Sequence, residues 1–244
     1  MSTISPTPSV ANPSSENNSL FLCNGDRMKQ PEFHRRYEAC PKNVRAELIG
    51  GVVYMSPPVY MPSPLRWLHG ASHNRLGLLL GLYQAGTTGV EAGDNATILL
   101  GEESEPQPDL GLRILPEYGG RSRTTEDDYV EGAPELLAEI AYSTRAIDMN
   151  QKRDDYERAG VLEYLVLCVE ERELHWFHFP SRRTIRPDRK GVARSRVFPG
   201  LWIDAPALLE RDGSRLVAAV QQGLAAPAHA AFVKRLEKAR KRPS

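Results

Sequence analysis

The run Pro134-Glu-Leu-Leu-Ala-Glu-Ile-Ala141 most constrains how this chain can fold. It is apolar enough to be a strand in the middle of a sheet, yet it carries Glu139. A desolvated carboxylate must be paired, neutralised or metal-bound, so such a strand needs a cation aimed at one point along it. Two other features offer partners. Pro108-Asp109 lies thirty residues upstream at the start of a second strand-like stretch, Gln107 to Leu115, and Lys152 lies downstream on a segment with helical spacing.

The rest of the chain supplies elements around these strands. Asp26 to Cys40 places Met28, Phe33 and Tyr37 at near-helical intervals and stops before Pro41, which reads as a short helix. Glu47 to Met55 is two apolar runs around Gly50-Gly51, a hairpin signal ended by Pro57-Pro58. Arg66 to Gln84 reads as a helix. Gly89 to Leu100 is strand-like and broken at Gly93-Asp94-Asn95, and Pro116 to Gly132 is polar and reads as a long, candidate functional loop. Ser143 or Thr144 is a plausible cap for a helix running to Ala159, with Gly160 as its left-handed terminator. Glu163 to Val169 and Glu173 to Phe179 follow as strands, then a short apolar segment from Val197 to Ile203. Helical patterns around Ala207 to Gln222 and Ala228 to Lys241 finish the chain. This order predicts one α/β or α+β domain built on a mixed sheet with helices packed against it. The expected organisation is a disordered tail over 1–20, a main domain over 21–212 and a loosely attached helical extension over 213–244.

Positions 148, 152, 156 and 159 fall at i, i+4, i+8 and i+11, which puts Asp148, Lys152, Tyr156 and Ala159 on one helix face. A face that turns Asp148 and Lys152 toward a strand bearing Glu139 makes either a buried ion-pair network or a catalytic site. In the catalytic reading, Asp109 and Glu139 sit on neighbouring strands and share a Mg2+ or Mn2+ ion through their oxygens. Lys152 then orients a water and stabilises phosphoryl oxygens, while Asp148 fixes the lysine. Glu47, beside the hairpin, is a further candidate carboxylate or simply a strand-end surface residue.

These residues carry a resemblance. Glu47-Leu-Ile-Gly-Gly, His69, Pro108-Asp109, Glu139-Ile-Ala-Tyr-Ser-Thr, Asp148-x-x-x-Lys152-x-x-x-Tyr156 and Gly160-Val-Leu-Glu-Tyr164 occur in this order. The set resembles the Uma-two (Uma2) family, described as putative restriction endonucleases, within the PD-(D/E)xK nuclease superfamily. The likeness runs roughly from Asp26 to Leu209. It implies a restriction-endonuclease-like mixed sheet flanked by helices and magnesium-dependent DNA cleavage. On this resemblance Asp109 and Glu139 match the metal-binding acids and Glu47 the N-terminal acid. The superfamily's usual lysine position, two residues after the second acid, is Ala141 here, and Lys152 matches the displaced lysine of this family. His69 matches a recurring histidine after the hairpin, with a site-edge role or a structural one.

Other readings lose support. His69 and His73 are four apart, but Gly70 follows where a zinc protease carries Glu. No Walker loop, G-x-G-x-x-G or G-x-S-x-G occurs, and the three cysteines form no metal or disulfide pattern. No stretch approaches the length of a membrane span and the N-terminus lacks an apolar signal core, so a cytoplasmic location is expected. The formal net charge is zero, so any nucleic-acid contact must rest on local basic groups. Arg121, Arg123 and Arg145 are the candidates for phosphate, being nearest the acids in sequence. Basic runs at Arg182 to Arg196 and Lys234 to Arg242 are further candidates or merely solvated faces. The expected function is a metal-dependent endonuclease acting on DNA, and cutting of both strands favours a homodimer. The competing expectations are a catalytically silent nucleic-acid- or protein-binding module on the same fold, and a hydrolase of some other phosphodiester.

Overall fold

The computed structural model describes residues 21–55, 67–142 and 144–240. The tail Met1 to Ser19, the Pro57-Pro58 stop and the Ser143 cap expected from sequence lie outside them. Helix α1 (Gln30–Glu38) has Pro31 in its first turn, where a missing N–H costs nothing, and buries Phe33. Strands β1 (Ala46–Ile49) and β2 (Val52–Met55) pair antiparallel across Gly50 and Gly51. Both glycines have positive φ (57° and 75°), as a tight hairpin turn demands. Helix α2 (Trp67–Ala85) buries Leu76, Leu79, Leu80 and Tyr83, an i, i+3, i+4, i+7 stripe.

Strands β3 (Val90–Asp94), β4 (Ile98–Leu99) and β5 (Leu110–Ile114) follow. The segment Pro116 to Gly132, expected as one long loop, contains a 3₁₀ turn at Pro116–Tyr118 and two short strands, β6 (Arg123–Thr124) and β7 (Val130–Glu131). These pair with β4 in a small three-stranded sheet, ordered β4-β7-β6. Two-residue strands are too short to leave a period in the sequence. Strand β8 (Leu136–Ala141) leads into a π-helical turn, Ile147–Lys152, and helix α3 (Arg153–Ala159), which Gly160 ends at φ 94°. Strands β9 (Glu163–Cys168), β10 (Glu173–His178) and β11 (Arg183–Thr184) come next, then the hairpin of β12 (Val192–Arg194) and β13 (Trp202–Asp204). Helices α4 (Ala205–Glu210), α5 (Gly213–Leu224) and α6 (Pro227–Ala239) complete the order.

The centre is a mixed six-stranded sheet, ordered β11-β10-β9-β8-β5-β3, in which only β8 and β9 run parallel. Alternation along β8 divides its side chains between two cores. Leu136, Ala138 and Ile140 pack with the α2 stripe, Leu110 and Leu112 on one face. Leu137 and Ala141 pack with Tyr156, Tyr164 and Val166 on the other. Glu139 belongs to this second, α3-bearing face. Asp109, one residue before Leu110, shares it. The expected mixed sheet flanked by helices is therefore present.

The C-terminal helices, expected as a loosely attached extension, are packed onto the domain. Leu216 and Val220 of α5 and Phe232 and Leu236 of α6 join the α2-side core. Among the described residues no single helix is long and apolar enough to cross a membrane.

Candidate active site

The register of β5 and β8 brings the two acids together. Leu110 pairs with Ala138, which sets Asp109 beside Glu139 at the β5 entrance. Pro108, which has no N–H to offer a ladder, precedes it at the strand start. The Asp109 amide donates to Glu139 Oε2 at 3.4 Å, and Asp109 Oδ2 accepts the Ile140 amide at 2.6 Å. Each carboxylate is thus tied to the other's strand.

Lys152 reaches the same point from the π-helical turn. Its ammonium donates to Glu139 Oε1 and to Glu47 Oε1, both at 3.0 Å, and lies 4.0 Å from Asp148 Oδ1. Asp148 is held in turn, since Thr144 Oγ1 donates to its Oδ2 at 2.6 Å. The Thr144 side chain therefore serves a carboxylate, not the helix amides that a capping role predicts. Tyr156 donates its hydroxyl to Glu139 Oε1 at 2.9 Å, and Tyr164 donates to the Asp148 carbonyl at 3.1 Å. Glu47 arrives from β1, where its Oε1 also accepts the Gln107 amide at 2.7 Å. One extra residue per turn distinguishes a π-turn from an α-helix, and such turns recur at functional sites.

The electrostatics are unbalanced. Three carboxylates (Glu47, Glu139 and Asp148) lie within 4.0 Å of one ammonium, and the Asp109 carboxylate adds a fourth negative charge beside Glu139. Burial raises the pKa of Glu139 well above its usual range; Lys152 opposes the shift, and Asp109, Asp148 and Glu47 add to it. Burial also lifts Asp148, to about 6, against the pull of Lys152 and the Thr144 hydroxyl. For Lys152 burial works downward, but the attraction of Glu139, Glu47 and Asp148 together outweighs it and the net shift is upward. The lysine is therefore a fixed cation amid surplus negative charge.

That surplus, and a donor set made of oxygens alone, suit a hard divalent cation. Among the described residues no group of three or more His, Cys, Asp or Glu side chains is arranged to hold a metal ion. Magnesium needs fewer, because it keeps several waters and takes one or two carboxylates. Asp109 and Glu139 are the fitting pair, since Glu139 Oε2 has only the long contact to the Asp109 amide. Glu47 and Asp148 are drawn toward the lysine instead.

Other residues singled out from sequence lie apart from this cluster. Arg121 donates to the Gly160 carbonyl at 2.7 Å, Arg123 pairs with Glu131, and Arg145 pairs with Glu171 at 3.2 Å. All three are engaged away from the acids. His69 sits on α2 with Nδ1 buried and without a partner among the described residues. Its neighbour His73 is the histidine that meets the site, with Nε2 3.1 Å from the Asp109 carbonyl oxygen. Spacing pointed only to a zinc pair and so missed it. Tyr156 and Gln107 were also missed as partners. The signal for Tyr156 was its i+4 position after Lys152, whereas the Gln107 amide left none.

A family model for Uma2, described as "Putative restriction endonuclease", matches residues 31–206. No curated protein matches the chain in sequence. Among solved structures it is similar to a crystal structure described as a putative nuclease belonging to DUF820, from Anabaena variabilis ATCC 29413. The two share 14% identity with a TM-score of 0.56, over 75% of this chain and 98% of that one. At that identity the likeness speaks for the fold alone.

Proposed function

Since the chain belongs to the Uma2 family, we propose that it is a metal-dependent endonuclease that hydrolyses DNA phosphodiester bonds at the Asp109–Glu139–Lys152 cluster. One observation carries this reading: three side chains, from the residue before β5, from β8 and from the π-turn, converge, with Lys152 Nζ 3.0 Å from Glu139. Asp109 and Glu139 are the residues that would hold Mg2+ or Mn2+. When bound, the ion polarises the scissile phosphate and lowers the pKa of a coordinated water.

The chain's own groups do the rest. Lys152, charged throughout the neutral range, has two of its three N–H groups on Glu139 and Glu47 and turns the third toward the attacking water. Glu47 and Asp148 hold the ammonium on that line, and Thr144 holds Asp148. Tyr156 locks Glu139 Oε1, which leaves Oε2 for the ion. DNA is the proposed partner. Arg153, Arg182 and Arg183 line a groove of about 600 Å³ on the α3 side of the sheet, a path for the phosphate backbone.

Substituting Asp109→Ala is expected to abolish magnesium-dependent nicking of supercoiled DNA while the circular dichroism stays native. Magnesium should also raise the melting temperature of the wild type and leave that of Asp109→Ala unmoved. Full cleavage by the variant would defeat the assignment. A second reading, a silent nucleic-acid- or protein-binding module, draws on the closure of Lys152 by Glu139 and Glu47. It expects salt-sensitive DNA binding with no products and no magnesium shift.

A further inference from the structure

A cleft of about 310 Å³ lies on the same sheet face as Asp109 and Glu139, roofed by the β4-β7-β6 sheet. Its floor is bare at one step, because Gly93 on β3 and Gly111 on β5 are register partners, with Glu91 and Arg113 at the next pair on that face. Gly111 is two residues from Asp109 on one face, a separation of roughly 7 Å. Pro108 and Gly111, which flank Asp109 in the chain, line the cleft, so its near end lies one residue from that acid.

The fold does not account for the first of these glycines. A Cβ built on Gly93 meets nothing within 4 Å, and its backbone lies outside the left-handed region. Glycine inside a strand weakens the strand and often marks the close approach of a ligand. A second observation is independent of the first. Arg113, which also lines the cleft, donates Nε to Glu91 at 2.7 Å and Nη2 to Thr124 at 2.8 Å. Its Nη1 is buried with no acceptor among the described residues, a loss that a bound acceptor would repair once the guanidinium turns toward the cleft.

We infer that this cleft seats one unpaired nucleoside of the substrate strand, next to the phosphate cut at Asp109. The chemistry of the rim selects the nucleoside and not its phosphate. Asp94 and Asp128 repel anions and accept from exocyclic amino or hydroxyl groups, while Ile98 and Val130 offer an apolar wall to a ring. Arg113 Nη1 supplies one donor for a base carbonyl or ring nitrogen. A base inside an intact duplex cannot enter, so single-stranded, flap or mismatched DNA is preferred over perfect duplex. This inference rests on the nuclease reading for the substrate, but not for the binding itself.

The test fills the cleft without touching the acids. Gly93→Val adds a β-branched side chain where space is open. It is expected to raise KM for a single-stranded oligonucleotide by about tenfold or more with kcat nearly unchanged. In parallel, deoxyadenosine and deoxycytidine are titrated into ¹⁵N-labelled wild type without metal. Amide shifts at Gly93 and Gly111 and at Arg113 Nε are expected, and their absence at millimolar nucleoside overturns the proposal even if the variant fails to fold. Unchanged KM in folded Gly93→Val overturns it too, and leaves the nuclease reading standing. Nucleoside shifts in a protein that cuts no DNA would instead retain the cleft and remove the nuclease.

Discussion

Glu139 and Glu163 are both buried glutamates of the central sheet, on the adjacent parallel strands β8 and β9, and burial raises the pKa of both. Their surroundings differ. Glu163 accepts from Trp176 Nε1 and Ser195 Oγ on one oxygen and from the Arg196 and Val197 amides on the other, at 2.7–3.1 Å. Four neutral donors thus satisfy it, and they fasten the end of the β12 hairpin to the sheet. Glu139 instead shares one oxygen between Lys152 and Tyr156, leaves the other with a 3.4 Å contact, and faces three further carboxylates. Glu135, which accepts the Ile114 and Arg121 amides, belongs with Glu163. Burial and a raised pKa therefore do not mark a site by themselves. Repeated like charge around one cation does.

Exchanging each glutamate for glutamine gives the largest and sharpest contrast. Glu139→Gln is expected to lower the cleavage rate by about a hundredfold or more. Its melting temperature should hold or rise, because one of four crowded carboxylates has lost its charge. Glu163→Gln should behave in the opposite way. Its amide turns an N–H toward existing donors, so stability falls by about 1–3 kcal/mol, while the folded fraction keeps its turnover. If Glu163→Gln proved inactive and stable, or Glu139→Gln active and unstable, the division between the two residues would collapse.

Proton linkage separates the regions more finely. Burial raises Asp148 from its ordinary 3.8 to about 6, so between those values the folded state holds a proton that the unfolded chain has released. The stability from this group is full below pH 3.8 and is lost as pH rises through about 6. The loss is on the order of 3 kcal/mol, visible as the pH-dependent difference between wild type and Asp148→Asn in urea titrations. Glu163 has the same sign, so pH alone cannot tell the regions apart. Magnesium can. A divalent charge at Asp109 and Glu139 should flatten the Asp148 slope and leave the Glu163 slope, read from Glu163→Gln, as it was. Equal slopes with and without magnesium would deny that a cation enters the cluster.

The sequence exposed one side of this contrast better than the other. Glu139 was legible because a charge in an apolar strand is conspicuous, and Lys152 because helical spacing set it on one face with Asp148 and Tyr156. The π-turn that delivers the ammonium left no trace, since π and α turns draw on the same residues. Glu47 was legible only as a candidate; its tie to Lys152 spans 105 residues and depends on the hairpin's tertiary placement. Glu163 gave no sign of its four donors, two of which are backbone amides beyond Ser195. The Gly93–Gly111 floor was equally hidden, because Gly93 had read as a strand break and pairing across β3 and β5 is a register fact. The arginines nearest the acids in sequence are held by other partners, Gly160, Glu131 and Glu171. Proximity along the chain did not become proximity in space.

The smallest predicted effect tests the last link in the comparison, whether a single neutral donor matters differently at the two glutamates. Tyr156→Phe removes one hydroxyl from Glu139 and keeps the ring, whose edge-to-face contact with Tyr164 at 5.0 Å is unaffected. Ser195→Ala removes one of the four donors of Glu163. Tyr156→Phe is expected to cost about 1 kcal/mol of stability, the net worth of one hydrogen bond, and Ser195→Ala about 2–3 kcal/mol, because Ser195 Oγ also accepts the Val197 and Phe198 amides. Only Tyr156→Phe should also slow cleavage, by about threefold to tenfold, because Glu139 Oε1 is left with Lys152 as its one donor and Oε2 loses its fixed aim. Ser195→Ala should cut DNA at the wild-type rate. Denaturant melts and initial rates on one oligonucleotide separate these outcomes, and equal rates in both variants would mean that Tyr156 packs the site without orienting it.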